Sequence, residues 1–189
     1  RREHVRMVRS DGQFQMDIRG LGQAVTEDRA AGLNPIAVCA NGGATNTGAV
    51  DPMIEIADFC EAEGLWLHVD AAYGGFAVLT EKGRAALKGM ERADSISLDA
   101  HKWLFQPFET GCLMLKHGAV LEKAFSVEPE YLQDARWGGD HPNFSDRGLQ
   151  LSRSFRALKV WMSIQTFGVE AFRKSVAKGI DLAERAEEY

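Results

Sequence analysis

The sequence predicts an α/β protein whose sheet is mostly parallel and carries helices on both faces. Two observations lead to this prediction. Apolar runs of strand length alternate with segments of helical spacing, and the runs that end at Asp70 and just before Lys102 are separated by the length of one β-α-β unit. Three of the runs also end in polar residues. Because the carboxyl ends of parallel strands open on one edge of the sheet, that edge is the expected ligand site.

The first predicted helix and strand lie within the first forty residues. Asp17 can cap a helix that runs to Ala31, because its carboxylate can accept a hydrogen bond from the first turn. Gly32 suits the end of that helix, since glycine readily adopts the left-handed backbone conformation found there. The apolar run 35–40 then predicts the first buried strand.

The second helix and strand follow the same order. Asp51 and the proline after it open a helix that Gly64 closes. The apolar run 65–70 predicts the second strand. The segment 80–93 mixes charged residues with a few apolar ones, which indicates an exposed helix that returns to the third strand.

The last third of the chain begins with a short strand. Run 111–116 lies so close to the third strand that antiparallel pairing is expected. Residues 126–150 contain scattered Gly and Pro, which is typical of an active-site loop or a linker. Helical spacing in 151–167 and 169–180 predicts two helices separated by Gly168, and we assign their aromatic residues to the core.

Composition excludes several classes of protein. With 189 residues, 45% of them hydrophobic, the chain can build a substantial core, and its net charge of −5 argues against a nucleic-acid surface. No apolar run is long enough to span a membrane, and the charged first residues do not resemble a signal peptide. The three cysteines lack C-x-x-C spacing, which disfavours a disulfide framework or a zinc site. We therefore expect a soluble, cytoplasmic protein with reduced thiols.

Three polar residues, Thr45, Asp70 and Lys102, follow the three predicted parallel strands and should converge at one edge. A lysine at the mouth of a buried strand is a candidate amine nucleophile, although a lysine that reaches the surface is the simpler alternative. Asp70 could equally cap a helix. An amine and a carboxylate at such an edge suit pyridoxal phosphate, which a lysine holds as an imine while a carboxylate keeps the pyridine nitrogen protonated.

Four motifs in this order resemble the pyridoxal-phosphate-dependent group II amino-acid decarboxylases, the family of aromatic-L-amino-acid decarboxylase. The matching segments are Asn46-Thr-Gly-Ala-Val-Asp-Pro52, His68-Val-Asp-Ala-Ala-Tyr-Gly-Gly75, Asp99-Ala-His-Lys-Trp103 and Phe155-Arg-Ala-Leu-Lys-Val-Trp161. The resemblance implies a large domain like that of fold type I pyridoxal-phosphate-dependent transferases, a homodimer, and decarboxylation of an L-amino acid to the amine and carbon dioxide. Trp103 favours an aromatic substrate.

The resemblance also implies roles for five residues. Lys102 matches the lysine that forms the Schiff base, and Asp70 matches the partner of the pyridinium nitrogen. His101 would contact the cofactor phosphate, Ala72 would pack under the ring, and Thr45 would line the pocket. Each of the last three also has a simpler structural role, in core hydrogen bonding, close packing or loop hydrogen bonding. No metal site is expected.

Relatives in this family are more than twice as long, so we expect the chain to be incomplete at both ends. Residues 1–168 would form the C-terminal half of the large domain with its linking helix, and 169–189 would begin the small domain. The upstream loop that binds the cofactor phosphate would then be missing, which leaves a catalytically silent fragment as an alternative. A glutamate decarboxylase, an aldehyde-forming variant and an aminotransferase also stay open. Phe144 falls near the position of the family's catalytic loop tyrosine.

Overall fold

The structure is a computed structural model that describes residues 4–126 and 143–188. Within these residues, four strands form one sheet in the order β1-β2-β3-β4. The strands are β1 Ala37–Asn41, β2 Trp66–Asp70, β3 Ser95–Asp99 and β4 Gly111–Leu115. The first three are parallel and β4 is antiparallel to β3. This arrangement confirms the predicted α/β class, the mostly parallel sheet and the antiparallel last strand.

Six α-helices precede, connect or follow these strands in the described part of the chain. They are α1 Ile18–Ala30, α2 Met53–Glu63, α3 Glu81–Ala86, α4 Ala119–Phe125, α5 Arg156–Phe167 and α6 Val169–Glu187. Short 3-10 turns occur at Gly75–Leu79, Met90–Arg92 and Phe144–Arg147. The helix α2 and the segment 75–93 are the crossovers that keep β1, β2 and β3 parallel.

The predicted ends of the first two helices are confirmed. The Asp17 carboxylate accepts a hydrogen bond from the backbone N–H of Arg19 and so caps α1. The helix α2 ends at Gly64, which has φ of 65° and the left-handed conformation that glycine adopts without steric cost.

The prediction of one exposed helix over 80–93 is wrong. The helix α3 ends at Ala86, and the chain then turns inward so that Leu87 and Met90 are buried in the core. Gly89 permits this turn because it has φ of 100° and because a β carbon there would lie only 2.8 Å from the backbone nitrogen of Ile54. Close packing on α2 therefore overrides the helical pattern of the sequence.

The main hydrophobic core lies on one face of the sheet. Side chains of alternate strand residues, such as Val38 and Val69, pack there against α1 and α2. Ile56 of α2 and Val69 of β2 are completely buried. Burial of an aliphatic side chain of this size stabilises a fold by about 1.5–3 kcal/mol, so this layer fixes the positions of the strand ends.

Only part of the predicted aromatic core forms. Phe172 of α6 is 7% exposed, but Trp161 and Phe167 of α5 are 60% and 67% exposed. The assignment of the α5 aromatic residues to the core is therefore wrong for the described residues. The reason is that α5 contacts its neighbours with partly buried residues such as Val160 and Ile164 and buries none of its side chains fully.

Two further sequence predictions concern the last third of the chain. Most of the predicted loop over 126–150, namely residues 127–142, lies outside the described residues. Gly168 separates α5 from α6, and the domain boundary predicted there stays a prediction. None of the helices in the described ranges combines the length and the apolar composition needed to cross a membrane.

Candidate active site

The face of the sheet opposite the main core carries the polar residues of the strands. Residues that lie opposite one another in neighbouring strands point to the same face, and the register pairs Cys39 with His68, Asn41 with Asp70, His68 with Ser95, Asp70 with Ser97 and Asp99 with Gly111. We call the set Cys39, Asn41, His68, Asp70, Ser95, Ser97 and Asp99 the polar face. Its carboxyl end holds Asp70 and Asp99.

Asp70 ends β2 and is exposed. Its Oδ1 atom accepts two hydrogen bonds, one from the Ser97 hydroxyl at 3.0 Å and one from the backbone N–H of Ala72 at 3.1 Å. Its Oδ2 atom accepts no hydrogen bond from any residue within 4–126 and 143–188. The carboxylate is thus anchored at one oxygen and available at the other.

Lys102 lies three residues beyond the end of β3 and is held by Asp99. The Nζ atom of Lys102 lies 2.9 Å from Oδ2 of Asp99, and the two side chains are 34% and 24% exposed. The backbone N–H of Lys102 also donates to the carbonyl of Asp99 at 3.0 Å. The lysine therefore turns back over the strand end. The alternative, a surface lysine, would instead extend its side chain into solvent.

His101 is oriented by the start of β4. Its Nδ1 atom accepts a hydrogen bond from the backbone N–H of Thr110 at 3.0 Å, so in the neutral ring the proton is on Nε2. That Nε2 atom lies 3.7 Å from the Asp99 carboxylate. The ring of Phe108 packs edge-on against the imidazole with 5.0 Å between ring centroids. His101 therefore presents an N–H donor beside the same carboxylate that contacts Lys102.

Ala72 joins the Asp70 end of the site to the Lys102 end. Besides the hydrogen bond to Asp70, its carbonyl accepts from the backbone N–H of Asp99 at 3.3 Å. The backbone of the loop after β2 is thus bonded to both ends of the candidate site, and the Ala72 side chain on this loop is partly buried.

The loop that carries Thr45 packs on the loop after β2 through glycines. A β carbon at Gly43 would lie 2.8 Å from Cα of Gly74, which shows how closely the two backbones approach. Thr45 itself is exposed in the turn after β1. In the described part of the chain, its side chain makes no hydrogen bond with Asp70, Ala72 or Lys102.

The negative charges of the site also affect the cysteines beside it. Desolvation of its sulfur, together with the charge of Asp70, raises the pKa of the Cys39 thiol. Desolvation and the charge of Asp99 likewise raise the pKa of the Cys112 thiol. Neither thiol is therefore activated as a nucleophile at this site.

The structure brings together four of the five predicted residues. Asp70, Ala72, His101 and Lys102 are linked through hydrogen bonds and ion pairs that pass through Asp99. Thr45 lies on the neighbouring loop at the same edge. No role was predicted for Ser97 or Asp99, although their alternation with Ile96 and Leu98 could have placed them on the face that bears Asp70.

The residues present fit pyridoxal phosphate. A lysine amine, a carboxylate whose Oδ2 has no donor among the described residues and an imidazole N–H donor meet at one edge, and these are the groups that an aldehyde, a pyridine nitrogen and a phosphate need. Among residues 4–126 and 143–188, no three His, Cys, Asp or Glu side chains are grouped as a metal site would require.

Comparison with known proteins identifies the family that the chain resembles. The model of the pyridoxal-dependent decarboxylase conserved domain matches residues 2–189. An aromatic-L-amino-acid decarboxylase of Bacillus atrophaeus is 46% identical over 183 residues, which cover 96% of this chain and 38% of the relative. A phenylacetaldehyde synthase of Petunia hybrida is 39% identical over 177 residues, which cover 93% of this chain and 35% of the relative.

A solved structure agrees with these sequence relationships. The crystal structure of Catharanthus roseus tryptophan decarboxylase in complex with L-tryptophan superimposes with a TM-score of 0.85 and 33% identity, covering 97% of this chain and 39% of that protein. The chain thus spans less than two fifths of the length of the relatives to which it is similar.

Proposed function

The chain belongs to the pyridoxal-dependent decarboxylase family, and we propose that the protein decarboxylates an L-amino acid, with an aromatic substrate favoured, to the amine and carbon dioxide. The observation that carries this proposal is the placement of the Lys102 amine and the Asp70 carboxylate at one edge of the sheet, connected through Ala72 and Asp99. A purely structural role would not require an amine and a carboxylate oxygen that has no donor among the described residues to lie at the same edge.

The proposed catalytic residues are Lys102 and Asp70. When bound, pyridoxal phosphate supplies a ring that withdraws the electron pair of the bond broken at the substrate Cα. Lys102 would hold the cofactor covalently through its amine. Asp70 would favour the protonated form of the ring nitrogen, because an adjacent negative charge stabilises the cationic form of a base.

Three further residues are proposed to bind the cofactor. His101 would donate its Nε2–H to a phosphate oxygen. This donor is available because the Nδ1 atom already accepts the hydrogen bond from Thr110. Ala72 would pack its methyl group on the ring, and the small side chain leaves room for such a flat partner. Thr45 would line the pocket from the loop after β1, where its hydroxyl has no described partner among the other predicted site residues.

Support for an aromatic substrate comes from Trp103 and from the relatives. Trp103 follows the lysine directly, and its ring packs edge-on against Tyr73 with 5.4 Å between centroids. The Bacillus relative is named for aromatic amino acids, and the Catharanthus structure contains L-tryptophan. We therefore place tryptophan, tyrosine and related amino acids ahead of glutamate as substrates.

A second candidate function is the oxidative conversion of the same substrates, with dioxygen as the oxidant, to an aldehyde, carbon dioxide, ammonia and hydrogen peroxide. The 39% identity to a phenylacetaldehyde synthase favours it. Phe144 is consistent with it if this residue takes the place of a catalytic tyrosine, because a phenyl ring has no hydroxyl to return a proton to the substrate carbon. In the structure the Phe144 ring lies 5.7 Å from the Arg153 guanidinium, and its correspondence to the tyrosine stays a prediction.

The experiment that tests the proposal is a product analysis with the complete protein. Protein loaded with pyridoxal phosphate is incubated with L-tryptophan, L-tyrosine, L-DOPA and L-glutamate, and carbon dioxide, amine, aldehyde and keto acid are quantified. Carbon dioxide and amine in equal amounts support the decarboxylase. Carbon dioxide with aldehyde supports the second candidate, and keto acid without carbon dioxide contradicts both.

We also propose that the complete protein is a cytoplasmic homodimer. The exposed apolar side chains of α5, among them Trp161 and Met162, are suited to burial against further protein. Analytical ultracentrifugation of the complete protein should give twice the mass of one polypeptide, and a monomer across the micromolar range would contradict this part of the proposal.

A further inference from the structure

Ser97 and Asp70 form a pair across two parallel strands. The register of β2 and β3 places them directly opposite each other. Backbone hydrogen bonds fix both strands at this point, since the N–H of Gly42 donates to the carbonyl of Asp70 at 2.8 Å and the N–H of Ala71 donates to the carbonyl of Ser97 at 3.0 Å. The distance between the two side chains is therefore set by the sheet itself.

The Ser97 hydroxyl uses this position to bind one particular oxygen. It donates to Oδ1 of Asp70 at 3.0 Å, and the backbone N–H of Ala72 donates to the same oxygen at 3.1 Å. The two donors come from different segments, one from β3 and one from the loop after β2. A carboxylate held at one oxygen from two directions has little freedom to rotate about its Cβ–Cγ bond.

We propose that Ser97 is a positioning residue that orients Asp70, so that Oδ2 stays free for the ring nitrogen of pyridoxal phosphate. The inference rests on the proposed function, because it assigns Ser97 a role only where Asp70 serves the cofactor. Ser97 itself touches neither cofactor nor substrate in this scheme. Its effect is to keep Oδ2 from taking the hydrogen bonds that Oδ1 accepts.

The same strand provides a matched control. Ser95 lies two residues earlier on the same face of β3 and pairs with His68. Its hydroxyl is 2.8 Å from the Nδ1 atom of His68 and accepts the indole N–H of Trp66 at 2.8 Å. Ser95 thus has the same residue type, strand and face as Ser97 but does not contact Asp70.

The test uses the complete protein loaded with pyridoxal phosphate labelled with ¹⁵N at the ring nitrogen. The ¹⁵N chemical shift reports whether that nitrogen is protonated, and a cofactor titration gives the dissociation constant. We expect Ser97→Ala to move the shift toward the unprotonated value and to weaken cofactor binding about threefold to tenfold, the effect of losing one ordinary hydrogen bond, because Asp70 is exposed. Ser97→Thr keeps the hydroxyl and should restore the wild-type shift.

The control distinguishes positioning from a general structural effect. Ser95→Ala should lower the melting temperature, since it removes the partner of two partly buried polar groups, but it should leave the ¹⁵N shift unchanged. The inference is overturned if Ser97→Ala keeps the wild-type shift, or if Ser95→Ala moves the shift equally. If Ser97→Ala does not fold, a ¹⁵N shift in Ser97→Thr that differs from wild type overturns it, and a wild-type shift supports it.

Failure of the inference can be separated from failure of the proposed function. If the wild-type protein binds no cofactor, or binds it with an unprotonated ring nitrogen, the role of Asp70 is wrong and the proposed function fails with it. If the wild-type nitrogen is protonated and Ser97→Ala leaves it so, the role of Asp70 stands and only the positioning role of Ser97 is lost.

Discussion

The Asp99 carboxylate lies 2.9 Å from the Lys102 amine and holds it at the end of β3. This ion pair restricts a long, flexible side chain that would otherwise sample many rotamers. We expect Asp99→Asn, which keeps the shape but removes the charge, to slow the covalent capture of pyridoxal phosphate. Because both side chains are partly exposed, the effect should be about fivefold at most. The rate is measured by mixing cofactor-free protein with cofactor and following the visible absorbance.

A matched ion pair far from the site serves as the control for Asp99. Lys82 pairs with Asp181 at 3.0 Å on the surface of α6, and Asp181→Asn should leave the capture rate unchanged. An equal rate for wild type and Asp99→Asn would show that Lys102 does not depend on this carboxylate for its position.

The close contact between the loops after β1 and β2 leads to a second prediction. A β carbon at Gly74 would lie 2.6 Å from the carbonyl oxygen of Gly42 and 2.9 Å from Cα of Gly43. Gly74→Ala must therefore push the Thr45 loop away from the loop that carries Ala72. We expect a loss of about 1–3 kcal/mol in the free energy of unfolding, together with weaker cofactor binding, because both loops border the site.

Gly12→Ala is the matched control, since nothing lies within 4 Å of a β carbon at that position. Urea unfolding and cofactor titration of both variants check the prediction. Wild-type stability and affinity in Gly74→Ala would mean that the two loops are farther apart in solution than the structure places them.

The parts of the fold that depend on local signals could be predicted from the sequence. The carboxylate of Asp17 and the backbone freedom of Gly64 act within one turn of their own helices, so the ends of α1 and α2 were predicted correctly. The inward turn at Leu87 and Met90 was missed because it depends on the contact of Gly89 with α2. No pattern within residues 80–93 carries that information.

In the candidate site, too, the features with a local sequence signal could be predicted, and those that depend on contacts between strands could not. Asp70 and Lys102 could be predicted because each follows an apolar run at the expected edge of a parallel sheet. The contributions of Ser97 and Asp99 depend on strand register, which places Ser97 opposite Asp70 rather than one residue away. A shift of two residues would keep Ser97 on the same face but place it opposite a different residue, so alternation alone could not assign its contact.

Cys60 provides a prediction about pH. Burial, reinforced by the nearby charge of Asp94, raises the pKa of this thiol to about 11. At pH 8 only about one thiol in a thousand is then the reactive thiolate. We expect iodoacetamide to modify Cys60 more slowly than Cys112, which is exposed, as measured by mass spectrometry of the labelled peptides. Faster labelling of Cys60 would contradict its burial in the main hydrophobic core.

The same shift predicts how stability depends on pH. The unfolded chain loses the Cys60 proton near the ordinary thiol pKa of about 8.5, whereas the folded protein keeps it until about pH 11. The unfolded state therefore binds fewer protons between these values, and the free energy of unfolding must fall as the pH rises through this window. Cys60→Ala should reduce that fall, which urea unfolding at pH 8 and pH 10 measures.

Lys102 provides the most direct test of the site. In the complete protein, we expect a visible absorption band from the covalently held cofactor, and borohydride should abolish it and fix the cofactor to the peptide that contains Lys102. Lys102→Ala should lose both the band and the label but keep its fold, because a lysine at a strand end leaves no large core cavity when truncated. Lys102→Arg should behave in the same way, since a guanidinium stays protonated and cannot bond to the aldehyde carbon.

The control for this test is Lys88→Ala, which removes an exposed lysine on the crossover segment 75–93 that precedes β3 and should keep both band and label. Circular dichroism and thermal unfolding establish that each variant is folded before the label is mapped by mass spectrometry. A label on Lys82, Lys88 or Lys116 would show that another amine holds the cofactor. Normal decarboxylation by Lys102→Ala would have the same meaning, because the carboxylate of Asp70 and the donor of His101 would then serve a site that does not include this lysine.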